Sequence, residues 1–103
     1  KWSLITGPGA PTPRIAHQAA AIPARNGELW MFGGHFESPK LNWCKHINEL
    51  WVLHLKDYRW EKVDAKGAPS PRSGHRMVAY RNKLIVFGGY YDSEKMCLYY
   101  NDL

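Results

Sequence analysis

The chain contains an internal repeat. The segment KWSLITGPGAPTPR at residues 1–14 returns 58 residues later as RWEKVDAKGAPSPR at residues 59–72. The match continues in order, since RIAHQAAAI, LWMFGG and INEL are followed by RSGHRMVAY, LIVFGG and YNDL. Self-similarity at such a period is typical of repeat architectures, in which each unit is one supersecondary structure that buries its apolar faces against its neighbours. The repeat therefore constrains the fold more strongly than any single motif.

The repeat also divides the chain. Residues 14–64 form one complete unit, residues 1–13 are interpreted as the end of a preceding unit with its connector, and residues 65–103 as a connector and an incomplete next unit. About three or more such units are needed to cover the apolar faces. We therefore expect the chain to be part of a longer protein.

Short runs rich in β-branched and aromatic residues predict strands. In the complete unit they fall at residues 17–22, 28–34, 49–55 and 60–64, and in the next unit at residues 75–80 and 84–89. Residues 35–48 and 90–100 are interpreted as long loops, and Asn26-Gly27 as a tight turn. No segment has a helical period. The pattern predicts an all-β fold of four-stranded antiparallel units, which is typical of the blades of a β-propeller.

The charge pattern argues against nucleic acid as the first choice of partner. The net charge is +5, from 14 basic and 9 acidic residues, and the basic residues are scattered rather than clustered in a run. An acidic protein partner fits this charge through long-range attraction.

The two cysteines, Cys44 and Cys97, occupy equivalent places in successive units, four residues before an asparagine. They are too few for a disulfide framework and lack zinc-ligand spacing, so free thiols in a reducing compartment are expected, with their redox state left open. No apolar run has the length of a membrane span, and the N-terminus has no signal-peptide pattern. A cytoplasmic location is expected, and a nuclear one stays open.

A known family shares the motifs of this repeat. Gly33-Gly34 and Gly88-Gly89 each follow an apolar strand, and Asn-Glu/Asp-Leu and then Trp60 come after them. With the upstream Pro-Arg-x-x-His, this pattern resembles the kelch repeat along essentially the whole chain. Longer phrases such as NELWVLHLKDYRWEKV look like the kelch domain-containing protein 4 group. The resemblance implies a kelch-type β-propeller fragment.

Repeated residues of this signature are interpreted as structural. The paired glycines permit a sharp bend near the crowded centre of a propeller, and no helix follows them to form a phosphate-binding site. An arginine and a histidine recur at identical offsets, which favours a buried arginine that ties one blade to the next. A tryptophan, Trp60 with its counterpart Trp2, suits an outer strand. The structural set is Arg14, His17, Gly33, Gly34, Trp60, Arg72, His75, Gly88 and Gly89.

Catalysis has little support in the sequence. No nucleophile elbow, zinc-protease motif or reactive cysteine beside a base is present. Some kelch propellers are copper radical oxidases with a cysteine-linked tyrosine, and Cys97, Tyr99, Tyr100 and His35 are the residues that suggest this reading. That chemistry requires distant ligands and a secreted context that these residues do not supply. We therefore expect a non-enzyme with no catalytic residue, metal or cofactor.

The predicted strand order assigns the connections to two faces. The long-loop face comprises residues 6–14, 35–48, 65–72 and 90–100, and the short-turn face comprises residues 24–27, 56–59 and 81–83. Long loops on a rigid scaffold concentrate recognition residues, and peptide ligands of related kelch propellers commonly sit over this face. The candidate partner-binding residues are His35, Trp43, Lys45, His46, Tyr90 and Tyr91. Packing of Trp43 within its own loop is an open alternative.

These observations predict a non-catalytic protein–protein interaction module that binds a peptide or protein partner on the long-loop face. The alternative is a scaffolding subunit of a large multiprotein assembly, which would use several faces and have no single hot spot. A role as substrate receptor of a ubiquitin ligase rests on analogy, because no BTB or BC-box segment lies in these 103 residues.

Overall fold

The chain is built from short antiparallel strands. The computed structural model describes residues 1–38, 40, 43–93 and 95–103, without the side chains of Ser38 and Trp43. In this part of the chain the strands are β1 (Gln18–Ile22), β2 (Glu28–Phe32), β3 (His35–Ser38), β4 (Trp43–His46), β5 (Leu50–His54), β6 (Arg59–Val63), β7 (Arg76–Tyr80), β8 (Lys83–Phe87), β9 (Tyr90–Asp92) and β10 (Cys97–Tyr99). A single 3-10 turn, Ala24–Asn26, joins β1 to β2. No helix in the described part of the chain has the length and apolar character of a membrane span.

The main sheet is a four-stranded antiparallel meander in the order β1-β2-β5-β6. Its central strands carry the buried core, where Val52 is 1% exposed. The next unit starts a second sheet with β7 and β8, and its register repeats the first, since Met77 faces Val86 as Ala19 faces Met31. The fold is that of a kelch-type β-propeller fragment built from antiparallel blades, as the sequence predicts.

Two predicted loops are hairpins instead. Residues 35–48 contain the pair β3–β4, and residues 90–100 contain the pair β9–β10. Each hairpin begins directly after a diglycine, with His35 facing His46 and Tyr90 facing Tyr99. The interpretation of both segments as long loops missed these strands, because each strand has only three or four residues, too few to show a strand pattern. Pairing with each other satisfies their backbone polar groups.

The connector of each unit lies against the hairpin of the same unit. Ile15 and His35 exchange two backbone hydrogen bonds of 2.9 Å each. Ser73 and Tyr90 do the same in the next unit, at 3.0 and 2.9 Å. Connector and hairpin therefore lie at the same end of their sheet, and together they form the long-loop face.

The two glycines of a diglycine make room for different neighbours. A Cβ on Gly33 would lie 2.5 Å from Cε1 of His75, which belongs to the next unit. A Cβ on Gly34 would lie 2.8 Å from the carbonyl oxygen of Ile15, in its own connector. Gly89 repeats the second contact, 2.7 Å from the carbonyl oxygen of Ser73. The sequence predicted a bend at the diglycine. The structure shows in addition that Gly33 lies close to His75 and that Gly34 lies close to Ile15.

Backbone and ring contacts join the two units beside this diglycine. The Gly34 amide donates to the Arg72 carbonyl at 2.9 Å, and the Gly74 amide donates to the Ala16 carbonyl at 3.0 Å. Phe32, which is 2% exposed, meets the His75 ring edge-on with 5.4 Å between centroids. The core between the sheets is therefore centred on Phe32 and His75.

The two arginines that recur in the repeat do not tie one blade to the next as the sequence predicted. The Arg14 guanidinium bonds Glu49 at 3.1 Å, and the Arg72 guanidinium bonds Asp102 at 2.7 and 3.1 Å. Both partners belong to the same unit as the arginine, so these side chains brace one blade internally. The backbone of Arg72, rather than its side chain, reaches the preceding unit.

The two signature tryptophans also differ. Trp60 lies on the outer strand β6, half-buried, and its ring packs edge-on against Trp51 with 6.5 Å between centroids. Trp2 is fully exposed and lies outside any strand. The packing of Trp2 in an outer strand stays a prediction.

Candidate partner-binding site

The structure brings four of the six candidate residues together. His35 and His46, from the first hairpin, meet Tyr90 and Tyr91 of the second. The His46 ring lies 5.2 Å from the His35 ring, 5.3 Å from the Tyr90 ring and 5.2 Å from the Tyr91 ring, measured between centroids. The residues that the sequence placed in two separate loops therefore form one aromatic cluster at the junction of two blades.

A buried serine joins the two histidines. Oγ of Ser73 lies 2.7 Å from Nδ1 of His46 and 3.0 Å from Nδ1 of His35. On its other side, His46 Nε2 contacts the Asp92 carboxylate, whose backbone amide is 3.2 Å from the same nitrogen. A hydroxyl has one hydrogen to donate. In the tautomer that carries the hydrogen on His46 Nε2 and donates it to the Asp92 carboxylate, Ser73 donates to Nδ1 of His46 and accepts from Nδ1 of His35.

This set contains a serine, a histidine and a carboxylate, yet its geometry opposes nucleophilic catalysis. Ser73 is 0% exposed and its hydroxyl is shared between two imidazoles, so a substrate carbonyl has no approach to it. No group of three or more potential metal ligands is found among the described residues. The network instead fastens one hairpin to the next.

Burial keeps two members of the cluster neutral. The pKa of His35 is lowered, mainly by burial and further by the adjacent His46. The pKa of Tyr90 is raised, again mainly by burial and further by the Asp92 carboxylate. Near neutral pH both rings are therefore uncharged, which favours their packing against each other.

The fifth candidate lies on the other side of its hairpin. Lys45 is exposed and faces Phe36 across the β3–β4 pair. These two residues, with His46 and Glu49, line a cavity of about 210 Å³. Neighbouring residues of a strand point to opposite sides, so the Lys45 side chain leaves the hairpin on the side away from the His46 ring. Lys45 therefore lies outside the aromatic cluster, although it shares this cavity with His46.

The sixth candidate is Trp43. Its backbone pairs with Ser38 at the far end of the first hairpin. Its side chain lies outside the described part of the chain, so its role as a binding anchor stays a prediction.

The structure adds three residues to the candidate partner-binding set. Ser73 has Ile15 as its counterpart in the first unit, so comparison of the repeats gave no polar signal. Asp92 is 46 residues from the histidine it contacts. Tyr99 is 83% exposed and lies beside Tyr90, with 6.5 Å between ring centroids. The alternation across YYD and CLY was the available signal for the second hairpin, but it covers too few residues to identify strands.

The signature histidines are packed in the interior. His75 is 0% exposed, and neither of its ring nitrogens has a hydrogen-bond partner among the described residues. Burial, the largest cause, lowers its pKa, and the nearby Arg72 charge adds to the effect. His17 lies against Gly34, and burial lowers its pKa as well. Both rings therefore fill space beside a diglycine in neutral form.

The cysteines are both free thiols. Cys44 is half-buried and Cys97 is exposed. The pKa of Cys44 is raised, first by burial and then by the charges of Asp92 and Glu37. A raised pKa keeps this thiol protonated and weakly nucleophilic.

Comparison with known proteins agrees with the fold. The family model described as the KLHDC2/KLHL20/DRC7 Kelch-repeats domain matches residues 1–103. Kelch domain-containing protein 3 from Homo sapiens is 34% identical over 83 residues, which are 80% of this chain and 20% of that protein. Putative protein tag-53 from Caenorhabditis elegans is 34% identical over 90 residues, covering 85% of the chain and 6% of that protein.

A third relative is Rho GTPase-activating protein gacHH from Dictyostelium discoideum, 32% identical over 80 residues, which are 77% of this chain and 5% of that protein. The chain thus spans a fifth or less of the length of these relatives. The matches do not single out the kelch domain-containing protein 4 group.

Proposed function

Because the chain belongs to the KLHDC2/KLHL20/DRC7 kelch-repeats family, we propose that it is a non-catalytic module that binds a peptide or protein partner on its long-loop face. The family indicates a protein-interaction module and points away from enzymatic activity. What we propose beyond this is that the long-loop face is the binding surface and that its residues contact the partner.

The observation that carries the proposal is the Ser73 network between the two hairpins. It fixes the first hairpin through His46 and the second through Asp92. A surface whose backbone is already ordered loses less conformational entropy when a partner binds. The paired hairpins therefore provide a preorganised platform on the long-loop face.

Tyrosines supply the anchors on this platform. Tyr91 is half-buried against His46, and Tyr99 is largely exposed on the neighbouring strand. Tyrosine is enriched at interfaces because a large ring with a polar tip contacts a partner at low entropic cost. Lys45, on the outer side of the first hairpin, is placed to set orientation rather than affinity.

Narrower proposals accompany this one. The sequence features described above are consistent with three of them. These are membership of a large assembly, a cytoplasmic or nuclear location, and a particular likeness to the kelch domain-containing protein 4 group. A scaffolding subunit would bind through several surfaces, so loss of one tyrosine cluster would leave its partners bound.

The test is affinity capture from cells with the full-length protein. Tyr91→Ala/Tyr99→Ala should reduce capture of the main partner about tenfold or more, because removal of central aromatic anchors is costly. Trp2→Ala is the control, since Trp2 is fully exposed and lies outside both the long-loop face and the short-turn face. Circular dichroism of each variant establishes that it folds. Undiminished capture by the folded double variant would contradict the proposal.

A further inference from the structure

The excess positive charge of the chain is concentrated on the short-turn face. Its eleven residues include five of the chain's 14 basic residues, Arg25, Lys56, Arg59, Arg81 and Lys83, and one acidic residue, Asp57. On the long-loop face, the two arginines are braced by their own carboxylates and the lysines are nearly balanced by acidic residues. The two faces therefore differ in chemistry, one aromatic and the other cationic.

Two of these cations occupy the same place in successive blades. β1 ends at an Arg25-Asn26 turn, and β7 ends at an Arg81-Asn82 turn. β1 and β7 pack side by side and each forms the edge of its sheet, as the innermost strands of a propeller do. Both arginines therefore lie around the same end of the central channel.

The backbone of both arginines is strained. Arg25 has φ 53° and Arg81 has φ 56°, which is the left-handed region that glycine and asparagine tolerate best. Both side chains are exposed, so the arginines gain no core packing that would offset the strain. The Arg81 guanidinium lies 5.3 Å from the centre of the Tyr80 ring, which orients it. Tight hairpin turns require a positive φ, so the turn accounts for the backbone conformation. The feature that recurs is an exposed cation at the first central position of the turn in both units.

The local chemistry favours carboxylates. Arg25 already donates to Oε1 of Glu28 at 3.0 Å. In the described part of the chain, Arg81 and Lys83 have no carboxylate within ion-pair distance. Asp57 interrupts the cations, which disfavours a continuous phosphate backbone and suits a short segment with spaced carboxylates. We propose that the short-turn face is a second interaction surface, which binds an acidic peptide segment of a partner protein.

The test measures fluorescence anisotropy of a labelled hexaglutamate peptide with the full-length protein, beside a hexaglutamine peptide of the same length. Arg81→Gln/Lys83→Gln should weaken hexaglutamate binding about fivefold, because each exposed ion pair contributes a few-fold in affinity. The matched control is Lys40→Gln/Lys95→Gln, which removes the same charge from the long-loop face and should change binding less than about twofold.

Three outcomes would overturn this proposal. Equal weakening by both double variants would show a response to net charge alone. Equal affinity for hexaglutamate and hexaglutamine would remove the carboxylate requirement. Tighter binding of a single-stranded oligonucleotide of matched charge would assign the face to nucleic acid. Each of these results is independent of the Tyr91 and Tyr99 test, because that test concerns the opposite face.

Discussion

At the scale of single residues, the two signature arginines are held differently. Arg72 binds Asp102 through both terminal nitrogens and also donates to the Gly88 carbonyl at 3.0 Å. Arg14 reaches one oxygen of Glu49, and its Nη1 is buried with no hydrogen-bond partner among the described residues. The arginine of the complete unit therefore makes fewer hydrogen bonds to its carboxylate than the arginine of the incomplete unit. The two side chains are equally buried.

The difference arises from competition for Glu49. Its carboxylate also accepts from the Trp51 indole at 3.1 Å and lies 3.3 Å from the Lys62 ammonium. Burial alone would raise the pKa of Glu49, but the hydrogen bonds from Trp51, Arg14 and Lys62 outweigh it, and the pKa is lowered. The ionised form of Glu49 is therefore the one that the folded state favours.

Acid should remove this contribution. Because the pKa of Glu49 is lower in the folded state, its stabilising effect is complete above the usual glutamate pKa and is lost as pH falls through the lowered value. Glu49→Gln should lower the urea midpoint at pH about 7, and this deficit should shrink towards pH about 3. A deficit independent of pH would contradict the assignment.

Gly34 offers a test of the crowding at the diglycine. Gly34→Ala should be about 1–3 kcal/mol more destabilising than Gly67→Ala, measured by urea unfolding. Both glycines have positive φ, 94° and 72°, so both variants carry backbone strain. A Cβ on Gly67 would meet nothing within 4 Å, whereas one on Gly34 would meet the Ile15 carbonyl and His17. Equal losses would refute the close approach, and Gly34→Val should unfold the blade.

At the scale of elements, the two inserted hairpins are the least regular and most consequential parts of the blade. The first hairpin lies between β2 and β5 of the main sheet, and the second follows β8. The residue directly after each connector, Ile15 or Ser73, pairs with the first residue of the hairpin. The first hairpin then contacts the second through His46 and Asp92. Order on the long-loop face therefore depends on contacts between units.

Ser73→Ala tests this dependence. Loss of the hydroxyl leaves one nitrogen on each of His35 and His46 without a partner in the interior, which should cost about 1–3 kcal/mol. The change should also raise amide hydrogen exchange in β4 and β9, because the two hairpins lose their shared bond. Ser3→Ala, at an exposed position, should change stability by less than about 0.5 kcal/mol. Unchanged exchange in Ser73→Ala would contradict the locking role.

At the scale of the whole molecule, the blades are joined by a narrow core beside the first diglycine. Phe32 and His75 fill it, and backbone hydrogen bonds run alongside. Further out, an apolar groove of about 410 Å³ lies between the sheets, lined by Leu50, Met77 and Ile85 among others. Phe32 also lines this groove, so its ring joins the narrow core to the groove.

Phe32→Ala tests this position of the core. Phe32 is 2% exposed, and its ring meets the ring of His75. The substitution should cost about 3–5 kcal/mol, because a ring is removed from a filled interface. Thermal unfolding measures the loss, and a cost below about 1 kcal/mol would contradict the assigned position of the core.

The sequence was sufficient to predict the features that depend on residues close together in the chain. Strands with a two-residue period, turns at Asn26-Gly27 and the recurrence of diglycines predicted the four-stranded sheet and the kelch fold. These features follow from the steric preferences of neighbouring residues, and the repeat shows each of them twice. The long-loop face was also accessible in this way, because strand alternation decides on which side each connection lies.

Tertiary structure decided the partners of the buried polar groups. His46 meets Ser73 across 27 residues and Asp92 across 46, and no local pattern encodes either distance. The same holds for the arginines, whose burial the repeat predicted. Their carboxylate partners, Glu49 and Asp102, lie in their own unit, whereas the sequence predicted a tie to the neighbouring blade. A buried hydrogen bond depends on which side chains the folded backbone brings within about 3 Å, and that is settled only when the sheets pack.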